Sequence, residues 1–285
     1  MPEGSDPGER LQAPACPAPL TPAERIVLGH GGGGSLTGEL VTRVFLPHLG
    51  GPVLAELADA AVLDVPAGRI AISTDAFVVA PLRFPGGTIG ELAVNGAIND
   101  LAMRGARPHW LTAAFIIEEG LELATLDAVA EAMGNAARAA GVEIVAGDTK
   151  VVERGRGDGL YVTTAGVGIV PAGVEVGAVR IRPGDAVLLS GAIACHGMAI
   201  LSVREGLEFG GHIVSDTAPL HELVATMLAA AAGGVHALRD PTRGGLATVL
   251  HELAVAAGVG IEIEERSVPV PEAVASACAL LGLDP

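Results

Sequence analysis

The chain has 285 residues, half of them hydrophobic but only seven aromatic (five Phe, Trp110 and Tyr161), so its core must be built from Ala, Val, Leu and Ile, and its length predicts two domains. A formal net charge of −16 opposes a nucleic-acid backbone or an anionic membrane surface as partner. Three cysteines without CxxC or finger spacing and eight scattered histidines argue against a disulfide framework, a structural zinc site or a metal store, and fit a reducing cytoplasm.

Met1 to Glu24 carries acids and six prolines and lacks a basic start followed by an apolar block, so it reads as a disordered tail and not as a signal peptide. Ile26-Val27-Leu28 then runs into Gly29-His30-Gly31-Gly32-Gly33-Gly34, after which Leu36, Leu40, Val44 and Phe45 recur at helical spacing, so a glycine loop opens a helix. Short β-branched runs predict strands over Ala61 to Val65 and Arg69 to Val79, and Gly86-Gly87 introduces a helix over Thr88 to Met103. There follow a strand over His109 to Ile117 and a helix with Leu126, Val129, Ala130, Met133, Ala137 and Ala140 on one face. Strands over Val142 to Ala146 and Tyr161 to Val170 come next.

The pattern restarts around Arg180-Ile181-Arg182-Pro183-Gly184-Asp185, which sets a tail over 1–24, a first domain over 25–170 and a second over 171–285. The second half predicts strands over Ala186 to Leu189, Val235 to Leu238 and Ile261 to Ile263. Its helices start at about His196 and cover Ala218 to Ala231, Gly244 to Ala257 and Pro271 to Leu281. The 18 uncharged residues Ala186 to Val203 are interrupted by Ser190-Gly191 and His196-Gly197, which argues against a membrane helix. Strands arrive in neighbouring runs as well as alternating with helices, so the expected fold class is α+β.

Gly29 to Gly34 satisfies G-x-G-x-x-G, but the preceding apolar run is only three residues long and no ribose-binding acid sits in register. The stretch is open to two readings: a flexible GGGGS linker, or backbone amides of Gly31, Gly32, Gly33 and Gly34 cradling phosphate where a helix begins. Lys150 is the only lysine, every other basic position being arginine, which leaves two readings: an ammonium specifically needed there, or a lone surviving surface lysine. Its surroundings lack the Walker A pattern, so any ATP site is not a P-loop. Asp148 and Lys150 are expected to leave the strand Val142 to Ala146 through a turn at Gly147. Asp75 ends the run Ile70-Ala71-Ile72 in the same way, and Asn99-Asp100 sits in an otherwise apolar helix. Together with Asp240 before Pro241, Asp75, Asp100 and Asp148 make a plausible Mg²⁺ shell, since Mg²⁺ takes a few carboxylates, waters and nucleotide phosphates.

The glycine loop, Ile72-Ser-Thr-Asp75, Asn99-Asp-Leu-Ala-Met-Arg-Gly-Ala106, Gly147-Asp-Thr-Lys-Val-Val-Glu-Arg-Gly155 and Arg239-Asp-Pro-Thr-Arg-Gly-Gly-Leu246 stand in the order in which the HypE family of hydrogenase maturation factors carries such motifs. The chain resembles that family over about residues 25 to 285. The resemblance implies the PurM-like two-domain fold of the aminoimidazole-ribonucleotide-synthetase superfamily, with an N-terminal dimerising mixed sheet and a C-terminal α/β domain. It implies ATP-dependent dehydration of a carbamoyl group on a C-terminal cysteine to a thiocyanate, whose cyanide goes to the iron of a nickel-iron hydrogenase. ATP would lie near Gly31 to Gly34, Asp75, Asn99, Asp100, Thr149, Asp240 and Thr242. Mg²⁺ would sit on Asp75, Asp100, Asp148 and Asp240, with Lys150 and Asp148 in catalysis. The implied partners are a second copy, the carbamoyltransferase HypF and an iron-carrying HypC–HypD complex.

Two features depart from the family pattern. Cys195 stands where the family usually has Asp before His196. The family's terminal Pro-Arg-Ile-Cys does not follow Leu283-Asp284-Pro285, so the chain is expected to be C-terminally truncated, with Cys278 a core residue and not the carrier. Other members of the superfamily, of the selenophosphate synthetase or thiamine-phosphate kinase type, and a non-catalytic nucleotide-binding assembly partner are the alternatives.

Overall fold

The computed structural model describes residues 24–32, 35–57, 65, 68–207, 213–242 and 244–285. Gly33, Gly34, residues 1–23 of the tail expected over 1–24 and all but Val65 of the strand expected at Ala61 to Val65 lie outside the described residues.

A single 3-10 turn, Leu28–Gly31, leads to a helical run made of α1 (Ser35–Leu40), a π turn (Val41–Phe45) and α2 (Leu46–Leu49). The strands β1 (Arg69–Phe77), β2 (Arg83–Phe84) and β3 (Gly87–Thr88) follow. Helix α3 (Ile89–Met103) starts at a capping box: Thr88 Oγ1 accepts the amides of Gly90 and Glu91, and Glu91 Oε2 accepts that of Thr88 at 2.9 Å. Strand β4 (Arg107–Glu118), helix α4 (Leu123–Ala139) and strands β5 (Glu143–Val152) and β6 (Leu160–Val170) complete the first half. β1, β6, β4 and β5 form one sheet in that order, antiparallel except for the parallel β4–β5 pair.

Period-two alternation gives this sheet two different faces. Leu111, Ala113, Phe115 and Ile117 of β4 and Leu160 and Val162 of β6 are buried in one core with Ile89, Ala93, Val94, Ala97 and Ile98 of α3 and Leu126, Val129, Ala130 and Met133 of α4. No described helix covers the other face. It carries Ile70, Ile72 and Ile116, which are 52%, 69% and 39% exposed, more than a sheet closed on both sides would allow.

One sequence-based expectation is corrected here. Gly147 makes no turn; β5 runs straight through it, with Gly147 paired to Ala113 and Asp148 to Ala114. A Cβ at Gly147 would come within 2.6 Å of the Ala113 carbonyl oxygen, so glycine serves close approach of two strands.

At the far end of β4, Glu118 Oε1 accepts the amide of Gly155 at 2.5 Å and Oε2 that of Gly159 at 3.0 Å, which ties down the β5–β6 loop. The Gly155 bond, then the Gly159 bond, hold the Glu118 carboxyl below its usual range. A lowered folded pKa means that this contribution is present above the unfolded value of about 4.3 and is lost as pH falls through the folded value. Glu118→Gln should therefore accelerate hydrogen exchange at Gly155 and Gly159 at neutral pH, and strong acid should do the same to the unaltered protein. Unchanged exchange in the variant would show that the loop is held by something else.

The second half contains α5 (Cys195–Arg204), α6 (His221–Ala231), α7 (Gly245–Ala257) and α8 (Glu272–Leu281). α5 and α8 share a small core of Cys195, Met198, Ala199, Val274, Ala277 and Cys278. Cys278 is therefore a core cysteine, 2% exposed, as expected. The helices are found close to their expected places, but the three strands are not. Ala186 to Leu189, Val235 to Leu238 and Ile261 to Ile263 pair with no strand among the described residues. Apolar β-branched runs supply strand propensity, whereas a strand also needs a neighbour to accept its hydrogen bonds. Leu188 accordingly remains 81% exposed.

Candidate active site

The expected site residues fall into two groups. The first joins both halves of the chain. Asp75, on the helix-facing side of β1, bonds the amide of Ala76 through Oδ1 at 2.9 Å, and its Oδ2 lies close to Gly96 of α3. One turn further along α3, Asp100 Oδ2 accepts the hydroxyl of Ser73 at 2.6 Å. Asp240, in the irregular segment before α7, stands near enough to both to feel them. Burial first, then the charge of Asp100 and more weakly that of Asp75, push its carboxyl above the usual range, while Arg239 pulls the other way. Arg239 itself pairs with Glu252 at 3.1 Å, and the amide of Thr242 closes a turn on the Asp240 carbonyl at 3.0 Å.

The second group sits on β5. Lys150 Nζ donates to Asp148 Oδ1 at 2.8 Å, and the amide of Thr149 donates to the same oxygen at 2.8 Å. The Lys150 bond is the main reason that the Asp148 carboxyl lies below its usual range. Both side chains are nearly two-thirds exposed. The glycine loop belongs with this group, because a Cβ at Gly31 would come within 2.5 Å of the amide nitrogen of Val151, the residue after Lys150. Gly32 donates its amide to Gly29 at 3.3 Å. Thr149 alternates to the helix side and is 8% exposed, beside Phe115 in the β4–β5 pairing.

One chain does not bring the four carboxylates together. Asp75 aligns with Thr164, Ala113 and Gly147 across the sheet, so Asp148 lies three strand spacings away, about 14 Å, and on the opposite face. The shell expected from Asp75, Asp100, Asp148 and Asp240 is thus split into three and one within a protomer. The expectation failed because spacing along a sequence carries no information on strand order. Asn99 also differs from its expected place at the nucleotide, since its carboxamide binds the main chain of residues 218–220. Ser73 was not singled out from sequence, although it shares a face of β1 with Asp75.

Among the described residues no group of three or more His, Cys, Asp or Glu side chains is placed to hold a metal ion, so the trio in one chain is not a closed cation shell. A cation bound at Asp240 would relieve the cost of holding its carboxylate partly buried beside Asp100 and Asp75, and Mg²⁺ completes a partial protein shell with water and phosphate. Cys195 is buried in the α5–α8 core, and burial pushes its thiol up, which makes it an unreactive packing residue.

Comparison with known proteins bears on this arrangement. Residues 57–170 match the AIR synthase related protein, N-terminal domain, and residues 182–285 its C-terminal domain. A carbamoyl dehydratase HypE from Cupriavidus necator is 54% identical over 262 residues, covering 92% of this chain and 74% of the relative. The chain belongs to the HypE family. A crystal structure of HypE in complex with ATP superposes with a TM-score of 0.88 at 47% identity, over 91% of this chain and 77% of that one. A HypE in a HypE–HypF complex superposes at 0.74 and 47%, over 88% and 80%. The HypE likeness bears out the PurM-like α+β fold and stands against the other superfamily enzymes offered as alternatives. Among the described residues no helix is long and apolar enough to cross a membrane.

Proposed function

We propose that this chain acts as an ATP-dependent carbamoyl dehydratase in hydrogenase maturation. The observation that carries the reading is the convergence of Asp75, Asp100 and Asp240 from both halves of a HypE-family chain. The substrate is a thiocarbamate, a carbamoyl group esterified to a cysteine sulfur. Its amide oxygen attacks the γ-phosphorus of ATP and ADP leaves; loss of both nitrogen protons then forms the nitrile as the C–O bond breaks and phosphate departs. The products are thiocyanate, ADP and phosphate.

Asp75, Asp100 and Asp240 would hold Mg²⁺, which supplies charge neutralisation to the phosphates. Lys150, held by Asp148, would face the transferring phosphoryl group, and the Gly31 to Gly34 loop would lie beside it. Thr242, beside Asp240, and Thr149, beside Lys150, would border the nucleotide as well. The two groups are apart in one protomer, so a site that uses both draws them from two copies. The open sheet face, with Ile70, Ile72 and Ile116 exposed, supports a homodimer. HypF as carbamoyl donor, a HypC–HypD complex as cyanide acceptor and a cytoplasmic location belong to the same proposal, as do the domain limits 25–170 and 171–285.

Calorimetric titration with Mg-ATP tests the core of it. Asp75→Asn keeps size and removes a charge, and should weaken binding by roughly 10- to 100-fold, as changes around metal sites do. Wild-type affinity in this variant would remove Asp75 from the nucleotide site.

A further inference from the structure

Helix α3 presents two neighbouring rows of residues with different partners. Asn95 and Asn99, one turn apart, face the segment 213–220 that precedes α6. Asn95 Nδ2 donates to Thr217 Oγ1 at 3.2 Å. Asn99 Nδ2 donates to the Ala218 carbonyl at 3.0 Å and its Oδ1 accepts the Leu220 amide at 2.8 Å, so a single carboxamide serves as one rung of a ladder between the two halves of the chain. Gly96 and Asp100, each one position further along, face β1: Gly96 lies against Phe77 and Asp75, and Asp100 holds Ser73. The same helix thus sets the depth of the carboxylates and the seat of the segment.

From that seat the coupling runs on to Asp240. Leu220, whose amide Asn99 holds, packs with Val224, Leu228 and Leu238 against Ala102 and Met103 at the end of α3. Leu238 is two residues before Asp240. The other side of the segment is held too: Ser215 donates its amide to the Pro85 carbonyl at 2.8 Å, and its hydroxyl meets His196 Nδ1 at 2.9 Å. We propose that Asn99 is a positioning residue, one that acts through Leu220 and the Leu238 cluster to set where Asp240 faces Asp75 and Asp100, and not a ligand of the nucleotide. This rests on the reading of Asp240 as part of the Mg-ATP site.

A double-mutant cycle in the full chain tests it, with Mg-ATP affinity from calorimetry as the first readout and hydrogen exchange of the Leu220 amide as the second. Asn99→Ala should speed exchange at Leu220 and weaken Mg-ATP by about 10-fold, the lower end for groups that orient a metal ligand. In an Asp240→Asn background the same change should cost less than about 2-fold, because residues that act as one unit are non-additive. Should Asn99→Ala fold poorly, Asn99→Asp keeps the acceptor for Leu220 and loses the donor to Ala218, and it should show the same coupling at smaller amplitude. If the two substitutions multiply, Asn99 acts independently of Asp240 and the proposal fails while the site reading stands. Unchanged Leu220 exchange in Asn99→Ala also overturns it. If Asp240→Asn alone binds Mg-ATP as the unaltered protein does, the site reading fails and this proposal with it.

Discussion

Asp240→Asn should stabilise the ligand-free protein and at the same time weaken its binding of Mg-ATP. The two signs come from one cause. Asp240 is partly buried beside Asp100 and Asp75, so its folded pKa lies above its unfolded value. For an acid shifted that way the folded state binds more protons, and stability falls as pH rises from the unfolded pKa of about 3.9 through the folded one. At neutral pH the carboxylate is a liability that the isosteric amide removes. For a chain of this length each kcal/mol recovered shows as roughly 2–4 °C in midpoint, and partial exposure keeps the gain small. With Mg-ATP added the order reverses, because the lost charge is the one that meets the cation, and affinity should fall by about 10- to 100-fold. Differential scanning calorimetry with and without Mg-ATP checks both. A variant less stable than the parent in the absence of ligand would mean that the carboxylates do not repel across the two halves.

Much of the fold was legible because it rests on local signals. Gly86-Gly87 marks the start of α3, which the Thr88 to Glu91 capping box then closes, and the apolar face from Leu126 to Ala140 that defines α4 is written in the sequence with helical spacing. Alternation along β4 and β6 separates, in the structure, the residues that face the helices from those that do not. The candidate site was half legible, since Asp75, Asp100 and Asp148 stand out by their position at the end of an apolar run or within one, and Asp240 by its place before Pro241. What escaped was the order of strands. β1 and β5 are opposite edges of the sheet, a fact set by long-range pairing of β6 between β1 and β4 that no local pattern reveals. The turn expected at Gly147 failed for a related reason. Glycine also permits close approach, and only the partner strand, here Ala113 in β4, tells the two uses apart. The unpaired apolar runs of the second half, such as Ala186 to Leu189, show the same limit, because propensity is a property of a segment and pairing is not.

Lys150→Arg should lower turnover far more than nucleotide affinity. The substitution preserves charge but replaces a compact ammonium with a wide planar fork. It does so where the ammonium is held by Asp148 Oδ1 at 2.8 Å on an exposed strand edge, so there is room for arginine to fold and bind without strain. A contact to the transferring phosphoryl group strengthens chiefly in the transition state, so its misplacement appears in the chemical step. Single-turnover ADP formation, in a chain bearing the carbamoylated terminal cysteine, should fall by roughly 100-fold, the size expected when one electrostatic stabiliser is lost. The separation of Lys150 from Asp240 allows a sharper version. If each site takes Lys150 from one copy and Asp240 from the other, Lys150→Arg and Asp240→Asn are each strongly impaired alone at limiting Mg-ATP, but their heterodimer contains one site with both residues intact. After unfolding and refolding of an equal mixture, half the dimers are mixed and half their sites are whole, so about a quarter of the full activity should return. No recovery, with mixed dimers shown to form, would place both residues in one protomer's site and require β5 to move against the rest of the sheet. Unchanged turnover in Lys150→Arg would reduce Lys150 to a general counter-charge for the nucleotide.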